Sequence, residues 1–177
     1  MKVGLIRHFK VTRGYPNKLV AGDELMKWVK EYDESSVEET DIELHDIEWK
    51  RCFSSDLSRA KTTAEKAFHG KIIYMEDLRE MAIIPLFRGS IRLPLFLHLL
   101  MVRVAWLFNH PSQPESKKEV LERINKTLDN ILESDEDVLI VGHGGIMIFM
   151  RKALRKRGFK GPKFRRPENA TLYIFEK

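Results

Sequence analysis

The sequence predicts an α/β fold of three layers (α/β/α), a mostly parallel sheet with helices on both faces. Three observations carry that expectation. Short apolar runs suited to buried parallel strands (Val3 to Ile6, Ile72-Ile73, Val138 to Val141) alternate with longer stretches of helical period. Four such runs end in chemistry-bearing residues, and open α/β sheets keep their ligands at the carboxyl ends of strands. The chain of 177 residues shows no internal repeat and no low-complexity linker. It therefore reads as one domain, residues 1–177, large enough to bury roughly 70% of its unfolded surface.

Val3, Leu5 and Ile6 read as the first strand, which delivers Arg7 and His8 at its end. A Gly-, Pro- and Asn-containing loop follows, through Asn17. Asp23 is a plausible cap for a helix whose Leu25, Trp28, Val29 and Tyr32 share one face. Trp49 to Ser55 is the second strand, and Ser55 or Asp56 can cap the helix that carries Leu57, Ala60 and Ala64 inward. Arg59 then falls in that helix's first turn, where it opposes the helix dipole unless an anion lies between. Lys71 to Met75 is the third strand, leading to Leu78-Arg79-Glu80. From Ser116 a long helix turns Val120, Ile124, Leu128 and Ile131 inward. Val138 to Val141 is the fourth strand and ends in Gly142-His143-Gly144-Gly145, whose glycines let backbone N–H groups approach a ligand. Thr171 to Phe175 is the last strand, expected at a sheet edge.

Residues 83–115 interrupt this alternation and are expected to be an inserted lid or helical segment. Residues 91–108 approach transmembrane length, but Arg92, Pro94, His98 and Arg103 break the run, so no integral membrane segment is expected. Three uses compete for this surface: a lid over the site, a homodimer face, and a helix lying on a membrane surface. As a lid it would offer Ile84, Leu86 and Phe87 as an apolar wall, with Arg88 or Arg92 meeting the non-reacting part of an anionic substrate.

The composition, 43% hydrophobic and 32% charged, is that of an ordinary soluble domain. Its single cysteine, Cys52, sits in an apolar run and reads as a buried structural thiol. The first apolar run is too short for a secretory signal and no cleavage site follows it, so a cytoplasmic protein is expected. Net charge is +5, and nine of the sixteen residues from Arg151 to Arg166 are Lys or Arg with none acidic. That stretch favours an anionic partner or is a solvated face; no nucleic-acid partner is expected.

Two histidines, two arginines and a glutamate at strand ends make an anion site with proton-transfer groups. His8, His143 and Glu80 could hold zinc, but two arginines would repel a dication and attract phosphate. A serine hydrolase lacks its Gly-x-Ser-x-Gly elbow here, and a P-loop is absent from the sequence.

In order and spacing, four blocks resemble the histidine phosphatase superfamily, the phosphoglycerate-mutase-like proteins. They are Arg7-His8, Ser54-Ser55-Asp56-Leu57-Ser58-Arg59-Ala60-x-x-Thr63-Ala64, Leu78-Arg79-Glu80 and Gly142-His143-Gly144-Gly145. Glu115-Ser116, Arg123 and Asn169 are weaker echoes. The resemblance implies a phosphoglycerate-mutase-like fold. It also implies phosphate-monoester hydrolysis through a phosphohistidine on His8, with neither metal nor cofactor. Arg7, Arg59, His143 and Gly144 would bind the phosphoryl oxygens, Glu80 would protonate the leaving oxygen, and His143 would also be catalytic. The partner would be a small phosphorylated substrate or a phosphoprotein. A phosphomutase, or a weakly catalytic module that binds phospho-ligands or proteins, are the alternatives. Two departures from the family pattern bear on this. Phe9 follows Arg-His where glycine is usual, and Ile83 to Gly89 replaces the usual Gly-x-Trp-Glu-Gly.

Overall fold

The computed structural model describes residues 1–177 apart from Ile83, Arg88 and Ser90. Its contacts divide the chain into two compact units. The first comprises residues 1–10, 37–80 and 121–177, and the second 11–36 and 81–120.

The first unit is built on a five-stranded sheet. Its strands are β1 (Lys2–Arg7), β4 (Arg51–Ser55), β5 (Ile72–Met75), β6 (Val138–Gly142) and β7 (Leu172–Glu176), in the order β5-β4-β6-β1-β7. Two short strands, β2 (Lys10–Val11) and β3 (Val37–Glu38), lie where the chain passes between the units. β1 runs parallel to β6, and β4 runs parallel to both β6 and β5. β7 alone is antiparallel, against β1 at the sheet edge expected for the last strand, because the chain returns to the carboxyl edge, where Asn169 meets the His8 carbonyl, before β7 begins. The central strands read as continuous apolar runs because both of their faces are covered. Ile6, Leu139 and Val141 cluster with Ala60, Ala64 and Ala67 of α2 (Ser58–Ala67). Side chains alternate along a strand, so the equally buried Leu5 and Ile140 need a second layer. The buried Ile124, Leu128 and Ile131 of α4 (Lys117–Ile131) and Ile146, Met150 and Leu154 of α5 (Gly144–Lys156) supply it.

Two sequence expectations shift. The second strand starts at Arg51 rather than Trp49, because the N–H groups of Lys50 and Arg51 both reach the Asp137 carbonyl, at 3.0 and 3.3 Å. Neither Ser55 nor Asp56 caps α2. The N-cap is Leu57, without a side-chain bond. The Asp56 carboxylate is held by both ends of the Arg79 guanidinium, with Nε 2.6 Å from Oδ1. The cysteine is buried as expected, and burial pushes its thiol pKa up to about 12, which leaves it inert at neutral pH.

The second unit pairs α1 (Gly22–Asp33) with α3 (Leu95–Leu107). Val20, Leu25, Trp28 and Leu95 form its buried cluster, with Val29, Tyr32 and Leu99 packed around it. Asp23 is not the cap of α1. Ala21 holds that position, and the Glu24 carboxylate returns to accept the Ala21 N–H at 2.8 Å. Val20 and Leu93 form an antiparallel bridge, and His98 Nε2 donates to the Val20 carbonyl at 2.9 Å. Leu95 and Val102 of the apolar segment are buried, whereas Leu107 is half-exposed. Ser116 and Glu119 exchange capping-box bonds at the start of α4. Among the described residues no helix is long and apolar enough to cross a membrane.

Candidate active site

All four sequence blocks meet at the carboxyl edge of the parallel strands, within the first unit. Parallel pairing forces this: Arg7 lies opposite Gly142, Ser54 opposite Val141, and Ser55 opposite Met75. The residues that follow each strand therefore emerge side by side.

His8 and His143 are both buried, their ring centroids 5.1 Å apart and inclined at 57°. The His8 N–H bonds the Gly142 carbonyl at 3.0 Å, which ties the end of β1 to the end of β6. His8 Nδ1 lies 2.6 Å from the Phe9 carbonyl oxygen. A carbonyl only accepts, so Nδ1 carries the proton and Nε2 keeps its lone pair. Burial, then the nearby Arg59 and Arg7, lower the His8 pKa to about 3, against the bond to Phe9. Burial first and Arg59 next also hold His143 well below the ordinary imidazole value, with His8 and Arg7 adding to the effect. Both rings are neutral at physiological pH.

Phe9 meets the demands of its position without glycine's freedom. The described non-glycine residues with positive φ are His45, Asn109 and Ala170, so Phe9 has ordinary backbone. Its ring is fully buried, and its N–H donates to Thr63 Oγ1 at 2.8 Å. The same hydroxyl donates to the Arg59 carbonyl at 2.7 Å. Thr63 thus joins the loop bearing His8 to the helical turn bearing Arg59. Arg59 itself is only 5% exposed, near the start of α2, in agreement with the sequence expectation.

Arg7 Nη1 donates to the Pro167 carbonyl at 2.9 Å. Its Nε is buried and has no partner among the described residues. Gly144 opens α5 directly beside this guanidinium, since a Cβ there would lie 3.3 Å from Arg7 Nε. His143 Nε2 is 2.8 Å from Ser55 Oγ, the hydroxyl expected to cap a helix. Asn169 Nδ2 donates to the His8 carbonyl at 2.7 Å, and the Ala170 N–H to that of Arg7 at 2.9 Å.

Glu80 meets the first turn of α5. Its carboxylate accepts the N–H groups of Gly145 and Ile146 at 2.7 and 3.1 Å. Arg123 Nη1 supports the approach to it by donating to the carbonyls of Asp77 and Arg79, at 2.5 and 3.2 Å. The geometry thus brings Arg7, His8, Arg59, Glu80, His143 and Gly144 to one strand edge. Among the described residues no group of three or more His, Cys, Asp or Glu side chains is arranged to hold a metal ion. Sequence reasoning missed the parts played by Thr63, Ser55 and the Pro167 carbonyl. For Thr63 a signal exists: it lies one helical turn after Arg59, where a threonine hydroxyl can reach back to the arginine carbonyl. Nothing in the residue type signals the Pro167 carbonyl.

Two buried histidines flanked by arginines at the edge of a mostly parallel sheet define an α/β protein with a basic site that attracts anions. The family model described as the histidine phosphatase superfamily (branch 1) matches residues 34–177, and the chain belongs to that superfamily. No curated protein shows a match to the sequence. Solved structures do share the fold. Phosphoglycerate mutase from Bacillus anthracis is 20% identical, with 98% of this chain and 86% of that one covered and a TM-score of 0.61. YhfR from Bacillus stearothermophilus is 21% identical, covering 99% and 90%, with a TM-score of 0.61. A phosphoserine phosphatase from Entamoeba histolytica, solved with phosphoserine, is 15% identical, covering 98% and 89%, with a TM-score of 0.57. At these identities the likeness is one of fold.

Proposed function

We propose that the protein hydrolyses phosphate monoesters through a phosphohistidine on His8, without a metal. The observation that carries this reading is the bond from His8 Nδ1–H to the Phe9 carbonyl, 2.6 Å long. It fixes the tautomer that leaves Nε2 as a nucleophile, on a ring whose lowered pKa keeps it unprotonated. His8 Nε2 attacks phosphorus and the ester P–O bond breaks. Arg7, Arg59, His143 and the start of α5 at Gly144 stabilise the charge on the equatorial oxygens. Glu80 gives its proton to the leaving oxygen. For that, one carboxyl oxygen must carry a proton while the other keeps its backbone N–H. Water activated by the same carboxylate then attacks phosphorus, the P–N bond breaks, and phosphate leaves with His8 restored.

The segment 83–115, expected from the sequence to be a lid or helical insertion, contributes α3 to the second unit. Of the two arginines expected to help there, Arg88 lies outside the described residues. Arg92 is engaged by Glu24 at 2.7 Å and is no longer offered for that role.

Incubation with p-nitrophenyl phosphate in excess chelator tests the activity, and rapid acid-free quenching traps the intermediate. Steady turnover with a base-stable phosphoryl-enzyme, lost in His8→Asn, is the expected result. Turnover that needs added zinc or magnesium would overturn the metal-free mechanism. A mutase is distinguished by the fate of the phosphoryl group in a single turnover, returned to an organic acceptor rather than released.

A further inference from the structure

We propose that Arg165 and Arg166 form a second anion subsite beside the phosphate site, so that the preferred substrate is a phosphate monoester bearing a second anionic group. This rests on the His8 phosphatase reading above and adds the substrate class to it.

The loop between α5 and β7 is tied down along its length. Lys160 and Glu176 exchange two backbone hydrogen bonds, both of 2.8 Å. Gly161 lies so close to β7 that a Cβ would come 2.4 Å from Phe175 Cδ1 and 2.7 Å from the Ile174 carbonyl oxygen. Phe164 is buried, its ring 4.5 Å from that of Tyr173. The Arg151 guanidinium sits 5.0 Å from the same ring and bonds the Phe164 carbonyl. The Tyr173 hydroxyl accepts the Glu168 N–H at 2.9 Å. Pro167 is buried and holds Arg7, and Asn169 holds the His8 carbonyl.

Between the two buried anchors, Phe164 and Pro167, Arg165 and Arg166 are both exposed. Among the described residues neither makes an ion pair or a side-chain hydrogen bond, whereas the neighbouring Arg157 is paired with Asp129. Arg166 is one Cα step, about 3.8 Å, from the residue that positions the phosphate-binding Arg7. A loop fixed this firmly holds the backbone of Arg165 and Arg166 at a defined place, within side-chain reach of Arg7. Two guanidinium forks there match the planar, bidentate geometry of a carboxylate or a second phosphate. The one carboxylate on the loop is Glu168, which lies beyond Pro167. Lys163 adds a further exposed cation just upstream. A substrate carrying only the scissile phosphate would leave this charge unused.

The test compares phenyl phosphate with 4-carboxyphenyl phosphate and 1,3-phenylene bisphosphate, using the full chain and the Arg165→Gln/Arg166→Gln variant. The wild type should favour each dianionic probe over phenyl phosphate in kcat/KM by about tenfold, equivalent to about 1.4 kcal/mol. The double variant should bring that ratio near one, with the loss mainly in KM. Lys152→Gln/Lys156→Gln, which removes equal charge from α5, should keep the preference. A preference that survives the arginine substitutions overturns the subsite, as does one lost equally in both double variants, which would mean a general field. Arginine-dependent binding to phosphatidylglycerol vesicles, with no preference among the soluble esters, would overturn it in favour of a membrane surface. Absence of any turnover of phenyl phosphate would instead sink the phosphatase reading itself.

Discussion

The Nδ1–H of His8 points into the carbonyl of Phe9, 2.6 Å away, and this bond belongs to the backbone rather than to any property of the phenyl ring. The ring's task is packing, since Phe9 is fully buried. Phe9→Ala should therefore cost about 3–5 kcal/mol of stability through the cavity it leaves. The kcat per folded molecule, measured well below the lowered Tm, should stay within a few-fold. A collapse of kcat at full folding would show that the ring itself positions the imidazole.

The two buried imidazoles make stability depend on pH. In the unfolded chain a histidine titrates near 6.5, whereas folded His8 does so at about 3 and His143 well below the ordinary value. Between those limits the unfolded state binds more protons, so stability falls as pH falls. The contribution is fully present above about 6.5, and for His8 it is lost down to about 3. Denaturant midpoints should decline steadily from pH 7 to 4, and His8→Asn should make the decline shallower. Equal slopes in the two proteins would assign the acid sensitivity to other groups.

Gly144 is where a side chain would touch the Arg7 guanidinium, which the proposed mechanism assigns to phosphate. A Cβ there would lie 3.3 Å from Arg7 Nε and 3.5 Å from its Cζ, so the guanidinium must give way. Because Arg7 is a flexible side chain tethered by the Pro167 carbonyl, the expected cost falls on ligand geometry rather than folding. Gly144→Ala should weaken inorganic phosphate binding about tenfold or more, given that bonds to charged groups are worth about 1.5–3 kcal/mol. Its Tm should stay close to wild type. Calorimetric titration with phosphate, alongside thermal melts, separates the two effects.

The strand edge is legible in the sequence because parallel strands announce themselves as unbroken apolar runs and end in residues that do not pack. Val138 to Val141 followed by Gly-His-Gly-Gly leaves little freedom of interpretation. Capping is harder to read, because the side chains that look like caps have stronger partners far away in sequence. Asp56 is taken by Arg79 and Ser55 by His143, contacts made only once β5 and β6 flank β4. The cap of α1 lies two residues before Asp23, because the acid three residues beyond the true cap, Glu24, does the bonding. The alternation rule also says little about residues 83–115. An almost wholly apolar helix has no polar face from which its orientation can be inferred. In the fold α3 buries Leu95, His98, Val102 and Ala105 while exposing Phe96, Leu100, Val104 and Leu107.

Glu80 anchors α5 and, in the proposed mechanism, also transfers a proton; one substitution divides the two tasks. Both of its oxygens accept N–H groups from the start of α5, so the side chain anchors that helix whether or not it transfers a proton. Glu80→Gln keeps the length but offers one acceptor and one donor, leaving either Gly145 or Ile146 facing an amide nitrogen. A buried or partly buried donor left unpaired costs about 1–3 kcal/mol, so a lower Tm is expected on structural grounds alone. The proton-transfer task shows up only in the leaving-group dependence. An alkyl phosphate releases a strongly basic alkoxide and needs the acid, and losing a general acid typically costs about 10²–10⁴-fold. A p-nitrophenyl ester releases a stable phenolate and hardly needs it. Glu80→Gln should therefore slow phosphorylation by alkyl phosphates far more than by p-nitrophenyl phosphate, with phosphoryl-enzyme formation followed under single-turnover conditions. Equal slowing of both substrates, matched by the stability loss, would leave Glu80 as a helix anchor and send the search for the proton donor elsewhere.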